Sequence, residues 1–230
     1  CPSDRVQNAR FGACLMKEPD VVAAGVAAMR RAVDLPVTVK TRIGVDDRDS
    51  WDDFVRFIDT VAGGGCDTFI IHARKAWLQG LSPKENREIP PLSYETVYRL
   101  KQRYPEFSIT INGGITSIDE TVEHLEHVDG VMIGRAAYES PWLLAEIEQA
   151  VFGGNAPANR EVVLDRYIDY IDREMAAGTP FYAMARHVLG LYQGERGARA
   201  WRRHISENRP RAGATGQILR EAAENVLAVA

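Results

Sequence analysis

The chain has 230 residues, 45% of them hydrophobic and 26% charged, and its 28 basic and 32 acidic side chains give a net charge of −4. That composition is of an ordinary folded domain and excludes a disordered, collagenous or strongly basic chain. No apolar run reaches membrane-spanning length, no signal peptide is visible, and three cysteines (Cys1, Cys14, Cys66) without metal spacing argue against a disulfide framework or a metal site, so a reducing cytoplasm is expected.

In chain order, residues 1–15 read as irregular, with Pro2 and Gly12 among polar residues. The start at Cys1-Pro2-Ser3 reads like the middle of a loop, so the amino-terminal part of a longer protein is expected to be absent. Pro19 opens a helix with Val21, Val22, Val26 and Met29 at helical spacing. Residues 36–40 form a strand ending in the turn Thr41-Arg42-Ile-Gly44. An acidic segment leads into a helix carrying Trp51, Phe54, Val55, Ile58 and Val61, which Gly63-Gly64-Gly65 ends. Residues 67–72 are the next strand, and a polar loop runs on to Pro91. Ser93 is placed as the cap of a further helix. Two more strands follow, at 109–112 and 130–134, joined by a helix with a Ser117/Glu120 capping box. Ser140 and Pro141 then begin a helix to about Val151.

This alternation of short apolar strands, each able to be buried on both faces, with helices between them is the repeat of a TIM (β/α)8 barrel, but only four strands are present. The expected fold is α/β: the carboxyl-terminal half of such a barrel over residues 1–152. The linker Gly153-Gly154-Asn155-Ala-Pro157 follows, and then an all-α helical bundle over 158–230. Its helices are expected at 161–177, 181–192, 198–206 and 215–229.

Barrel enzymes work at the carboxyl ends of their strands. Here those ends carry Lys40 and Arg42, His72 and Arg74, Asn112-Gly113-Gly114, and Gly134-Arg135. The glycines let a ligand approach the backbone, and the cations suit an anionic cofactor; the last two turns read as a phosphate cradle. Cys1, among Ser3, Asp4 and Arg5, is the better candidate for a reactive thiol than Cys14, which neighbours Leu15 and Met16, or Cys66, which precedes an expected buried strand.

These residues lie within an ordered set of motifs: Cys1-Pro-Ser-Asp-Arg-Val-Gln, Val39-Lys-Thr-Arg-Ile-Gly, Ile71-His-Ala-Arg-Lys-Ala-Trp77, Ile111-Asn-Gly-Gly-Ile and Met132-Ile-Gly-Arg-Ala. Together they resemble the tRNA-dihydrouridine synthases over essentially the whole chain. The run from Arg74 through Lys84 to Arg87, with Gly197-Ala-Arg199-Ala-Trp-Arg202-Arg203, resembles the A subfamily. The resemblance implies an FMN-dependent oxidoreductase that NADPH reduces and that converts D-loop uridines of tRNA, at positions 20 and 20a, to 5,6-dihydrouridine. By resemblance Cys1 is the proton donor, and Lys40 and His72 contact the flavin ring and ribityl chain. Asn112, Gly113, Gly114, Gly134 and Arg135 hold the phosphate. The uridine must be swung out of the tRNA to stack on the flavin. The family's early strands supply further flavin contacts, so the chain by itself is expected to be inactive and to bind FMN weakly.

Residues 181–212 hold seven arginines against two glutamates, a net of +5 inside an acidic chain. One-signed local charge points to a phosphate-backbone surface. By resemblance the bundle binds tRNA, with Lys84 and Arg87 on the barrel side and Arg199 and Arg202 on the bundle side. Another FMN-dependent TIM-barrel oxidoreductase acting on a small molecule is the alternative, but it has no use for a basic bundle. No metal or membrane partner is expected, and the intact protein is expected to be a monomer.

Overall fold

The computed structural model describes residue 6, residues 8–208 and residues 213–227. Cys1 and the arginines at 209 and 211 lie outside the described residues. Among the described residues, four parallel strands form one sheet in sequential order: β1 (Val39–Arg42), β2 (Thr68–His72), β3 (Ser108–Asn112) and β4 (Gly130–Met132). Helix α1 (Pro19–Ala32) precedes β1, and α2 (Trp51–Gly63), α3 (Tyr94–Arg103) and α4 (Ile118–Leu125) connect successive strands. The expected alternation of helix with parallel strand is therefore present. The first strand is displaced, so that Arg42 belongs to β1 rather than to the turn after it.

Local chemistry accounts for the helix starts. Pro19 stands at the first position of α1, where its missing N–H costs nothing. The Ser50 hydroxyl accepts from the Asp53 N–H at 3.1 Å and caps α2. Ser93 does not cap α3 through its side chain: its hydroxyl pairs with that of Thr96 at 2.7 Å, two hydroxyls satisfying each other.

The strands are not buried on both faces as expected. Phe69, Ile71, Ile109 and Ile111 are fully buried, packed in one core with Phe54, Phe57, Ile58 and Val61 of α2 and Val97 and Leu100 of α3. The alternate residues Lys40, Ile70, His72, Thr110 and Asn112 face the other way and are partly or largely exposed. The sheet thus carries one apolar and one polar face, and the polar face is where the strand-end side chains gather.

Residues Thr116–Ile118 and Gly134–Ala230 form a second compact unit, entirely helical among its described residues. It comprises α5 (Arg135–Glu139), α6 (Trp142–Ile147) with a π turn at Glu148–Phe152, α7 (Arg160–Ala176), α8 (Phe181–Ala185), α9 (Ala198–Asn208) and α10 (Gln217–Leu227). Its core joins Trp201, Ile205, Leu164, Ile171, Phe181 and Leu219. The segment Gly134–Phe152, expected with the barrel, packs with these helices because Gly190 touches it backbone to backbone: a Cβ on Gly190 would lie 2.2 Å from the Glu139 carbonyl oxygen. The single helix expected from Ser140 to Val151 is instead α6 and the π turn, with no side-chain cap from Ser140. The helix expected at 181–192 stops at Ala185.

Adjacent glycines at the end of α2 make opposite predictions. A Cβ on Gly64 would lie 2.5 Å from the Ala23 carbonyl oxygen of α1, whereas a Cβ on Gly63 meets nothing within 4 Å. Gly64→Ala should destabilise by about 1–3 kcal/mol through overpacking. Gly63→Ala should stabilise by roughly 0.5–1 kcal/mol by restricting the unfolded chain. Urea unfolding of both variants checks the pair.

Candidate active site

Strand register assembles the site. Arg42, His72, Asn112 and Met132 are aligned across all four strands, one row at their carboxyl ends. Lys40, two residues back on the same face of β1, reaches over β2 to this row: its ammonium donates to Asn112 Oδ1 at 3.0 Å. Asn112 Nδ2 donates in turn to the Met132 carbonyl at 2.7 Å. One amide therefore ties β1 to β4 and fixes the Lys40 ammonium above the polar face. Partial burial of that ammonium, then the nearby Arg42 charge, lowers the Lys40 pKa below its ordinary 10.5. The side chain as a whole stays open to solvent.

Arg42 serves the wall of the site. Its Nη1 donates to the Lys75 and Asn86 carbonyls at 3.0 and 2.8 Å, in the long loop after β2. Burial, followed by the charges of Arg74 and Arg87, pushes its pKa down to about 10, so it remains a cation at neutral pH. Asn86 is fully buried in the same loop. Its Oδ1 accepts from the Trp77 N–H at 2.8 Å, and its Nδ2 donates to the Trp77 and Leu81 carbonyls at 2.9 and 3.2 Å. Asp46 Oδ1 accepts from the Leu78 N–H at 2.8 Å. The loop is long and polar, yet held from several sides, and the Lys75 ammonium lies 4.0 Å from the centre of the Trp77 ring.

The turn after β3 is shaped by two glycines. Gly113 and Gly114 have φ of +120° and +77°, a region that disfavours residues with a Cβ. A Cβ on Gly113 would also lie 2.6 Å from His72 Cδ2, so the glycine is what lets the imidazole close over the turn. From the other side the Tyr94 hydroxyl donates to the Gly113 carbonyl at 2.8 Å. The ring of Tyr94 packs edge-on against buried His124, centroids 4.4 Å apart, whose Nδ1 pairs with the Tyr98 hydroxyl at 2.6 Å.

Residues 1–227 match a family model described as dihydrouridine synthase. The chain belongs to the dihydrouridine synthase family. It is 58% identical over 224 residues to a tRNA-dihydrouridine(20/20a) synthase of Vibrio cholerae, covering 96% of this chain and 68% of that protein. It is 55% identical over 227 residues to the protein of that name from Shewanella oneidensis, covering 98% and 68%. The chain thus spans about two thirds of the length of these relatives. Among solved structures, a mandelate oxidase aligns with 90% of this chain and 66% of its own at 12% identity, with a TM-score of 0.40, too loose a likeness to argue from.

Within this dihydrouridine synthase chain the structure brings Lys40, His72, Asn112, Gly113 and Gly114 together in the sheet unit. Gly134 and Arg135 come just after β4, beyond Ile133, and are exposed in the second unit; a Cβ on Gly134 would meet nothing within 4 Å. Lys84 and Arg87 are exposed around the short 3-10 turn Glu85–Arg87 of the long loop. Arg199 and Arg202 lie on α9, Arg199 exposed and Arg202 donating to Gln193 Oε1 at 2.9 Å. Asn86 and Tyr94 were not legible as site-building residues in the sequence. A lone asparagine in a polar loop and a tyrosine one residue after an expected helix cap carry no local signal.

The Lys40–Asn112 bond predicts a pH effect. The folded-state pKa of Lys40 is lowered, so the folded chain releases this proton before the unfolded chain does, and stability rises with pH between the lowered value and 10.5. Asn112→Asp replaces the amide oxygen by a carboxylate at the same place. It should raise the Lys40 pKa and remove that rise. NMR titration of 13C-methylated lysines reads the shift, and an unmoved Lys40 signal contradicts the assignment.

Proposed function

We propose that this chain carries most of the machinery of an enzyme that reduces uridine in the D loop of tRNA to 5,6-dihydrouridine, at positions 20 and 20a. The observation that carries this reading is the 55–58% identity, along nearly all of the chain, to enzymes named for that reaction. The polar face of the sheet supports it. Among the described residues the sheet has sequential parallel order and two open edges, which fits the carboxyl-terminal half of an eight-stranded barrel, here assigned to residues 1–152. The helical region 158–230 is assigned to tRNA binding.

The residues present suit a flavin mononucleotide. Gly113 and Gly114 form a turn without side chains, and Lys40 and Asn112 supply a fixed donor pair beside it. Asn112, Gly113, Gly114, Gly134 and Arg135 would hold the phosphate, and Lys40 and His72 the ring and ribityl chain. When bound, FMN would supply hydride chemistry directed at C6 of the uridine, with NADPH as its reductant. Lys40, held in advance by Asn112, would offer a positive charge to the negative charge that gathers on a reduced flavin ring. Cys1 donates the proton to C5 through its thiol. Lys84, Arg87, Arg199 and Arg202 contact the tRNA backbone. We place the enzyme in the cytoplasm as a monomer; no helix among the described residues is long and apolar enough to cross a membrane.

The test uses the enzyme containing this chain, NADPH, and tRNA lacking dihydrouridine. Mass spectrometry of the digested tRNA should show a gain of one H2 at the D-loop uridines. Cys1→Ala should lower product formation about 100-fold or more, the usual scale for loss of a general acid, while NADPH still reduces the flavin. Lys40→Ala should weaken flavin binding and slow flavin reduction. Unmodified tRNA with the parent enzyme refutes the function; undiminished product with Cys1→Ala refutes only the role of Cys1.

A further inference from the structure

The second unit contains a groove of about 690 Å3 between α5, α6, the turn after α8 and α9. Every residue lining it belongs to that unit. A groove of this size holds a nucleotide, since small-ligand sites run from roughly 300 to 1,000 Å3. Its floor includes Leu143 and Leu189, and its walls include Tyr138, His187, Gln193 and Arg202. We infer that this groove seats an unpaired nucleobase of RNA, stacked against Tyr138. The inference rests on the tRNA reading above and adds a site to it.

The wall residues are built into position. Tyr138 is 58% exposed, unusual for so large a ring, yet it is not loose. Its hydroxyl pairs with His187 Nδ1 at 2.9 Å, and the two rings meet edge to face with centroids 5.8 Å apart. Arg186 Nε donates to His187 Nε2 at 3.0 Å. A guanidinium N–H can only donate, so Nε2 is the accepting nitrogen and the ring proton sits on Nδ1, donating to Tyr138. The tyrosine's own hydroxyl hydrogen is therefore turned away from His187. Arg202 Nη1 donates to Gln193 Oε1 at 2.9 Å, which fixes that amide as well. The backbone contact between Gly190 and Glu139 sets the spacing of the walls.

The charge of the lining separates a base from a phosphate. Two arginines, Arg186 and Arg202, are matched by two carboxylates, Glu139 and Glu146. A phosphate needs donors and net positive charge, whereas a base edge presents donors and acceptors together and its faces stack on aromatic rings. Arg199 and Arg203, outside the lining and exposed, suit the phosphodiester instead. NADPH, with its several phosphates, fits an uncharged groove poorly.

Fluorescence anisotropy with a labelled, unmodified tRNA transcript, over a range of salt, tests this in the full enzyme. Tyr138→Ala should weaken binding about tenfold, the scale of one lost base stack, and leave the slope of log Kd against log salt unchanged. Tyr138→Phe, which keeps the ring, should stay within about threefold on the same scale. Arg199→Ala should instead lower the slope by about one. Wild-type affinity in Tyr138→Ala, a slope reduced as in Arg199→Ala, or relief of the Tyr138 effect by NADPH competition overturns the nucleobase groove alone. A parent enzyme that binds no tRNA overturns the tRNA reading and this inference with it. Should Tyr138→Ala not fold, irradiating the parent enzyme with 5-bromouridine-substituted tRNA decides. A crosslinked peptide containing Tyr138 or His187 supports the groove, and none there overturns it.

Discussion

One amide side chain holds the site of the sheet unit together. Adjacent strands lie about 4.8 Å apart, so a lysine on β1 cannot meet a group on β3 unless it crosses β2 on the polar face. Lys40 makes that crossing, and Asn112 meets it while binding the Met132 carbonyl of β4. Removing the Asn112 amide would leave the Lys40 ammonium free to sample solvent. The bond to Asn112 therefore fixes where this positive charge sits on the polar face. The turn that follows Asn112 must then accommodate His72 on one side and Tyr94 on the other, which only a glycine at 113 permits.

The cations at the strand ends do two different jobs. Lys40 projects to the polar face, and its lowered pKa records partial burial near a second cation. Arg42 turns into the long loop, where its donors meet two backbone carbonyls. A loop of such length ordinarily moves. Here a buried asparagine and a half-buried arginine take over hydrogen bonds that regular structure would have supplied, so exposed Lys84 and Arg87 are presented on a fixed base. After burial, the charges of Arg74 and Arg87 lower the Arg42 pKa, so positive charge is concentrated around this loop.

The helical unit divides its polar surface between two kinds of chemistry. Its exposed arginines concentrate positive charge, while the lining of the groove is neutral in sum and carries both donors and acceptors. A protein that binds a folded RNA and draws one nucleotide out of it needs both: charge for affinity, and a shaped site for the bases displaced along with the target. Trp201 is fully buried under this surface, its indole N–H donating to the Val188 carbonyl at 3.3 Å, and so anchors α9 to the turn that carries the groove wall.

The sequence by itself determined the alternation of helix and parallel strand, because β-branched runs, glycine turns and Pro19 at a helix start act locally. It also located Lys40, His72 and the Asn112-Gly113-Gly114 turn, because polar residues interrupt apolar runs at those points. Two things needed the tertiary structure. Which faces of the strands are polar followed from register: pairing Arg42, His72, Asn112 and Met132 in one row separates Lys40 and His72 from Phe69 and Ile71, whereas runs as short as these read equally well as buried throughout. The groove of Tyr138 and His187 joins residues 49 apart, and no local pattern encodes a hydrogen bond across that separation. Periodicity reports what a residue's neighbours in sequence require, and sites such as this one are made by neighbours in space.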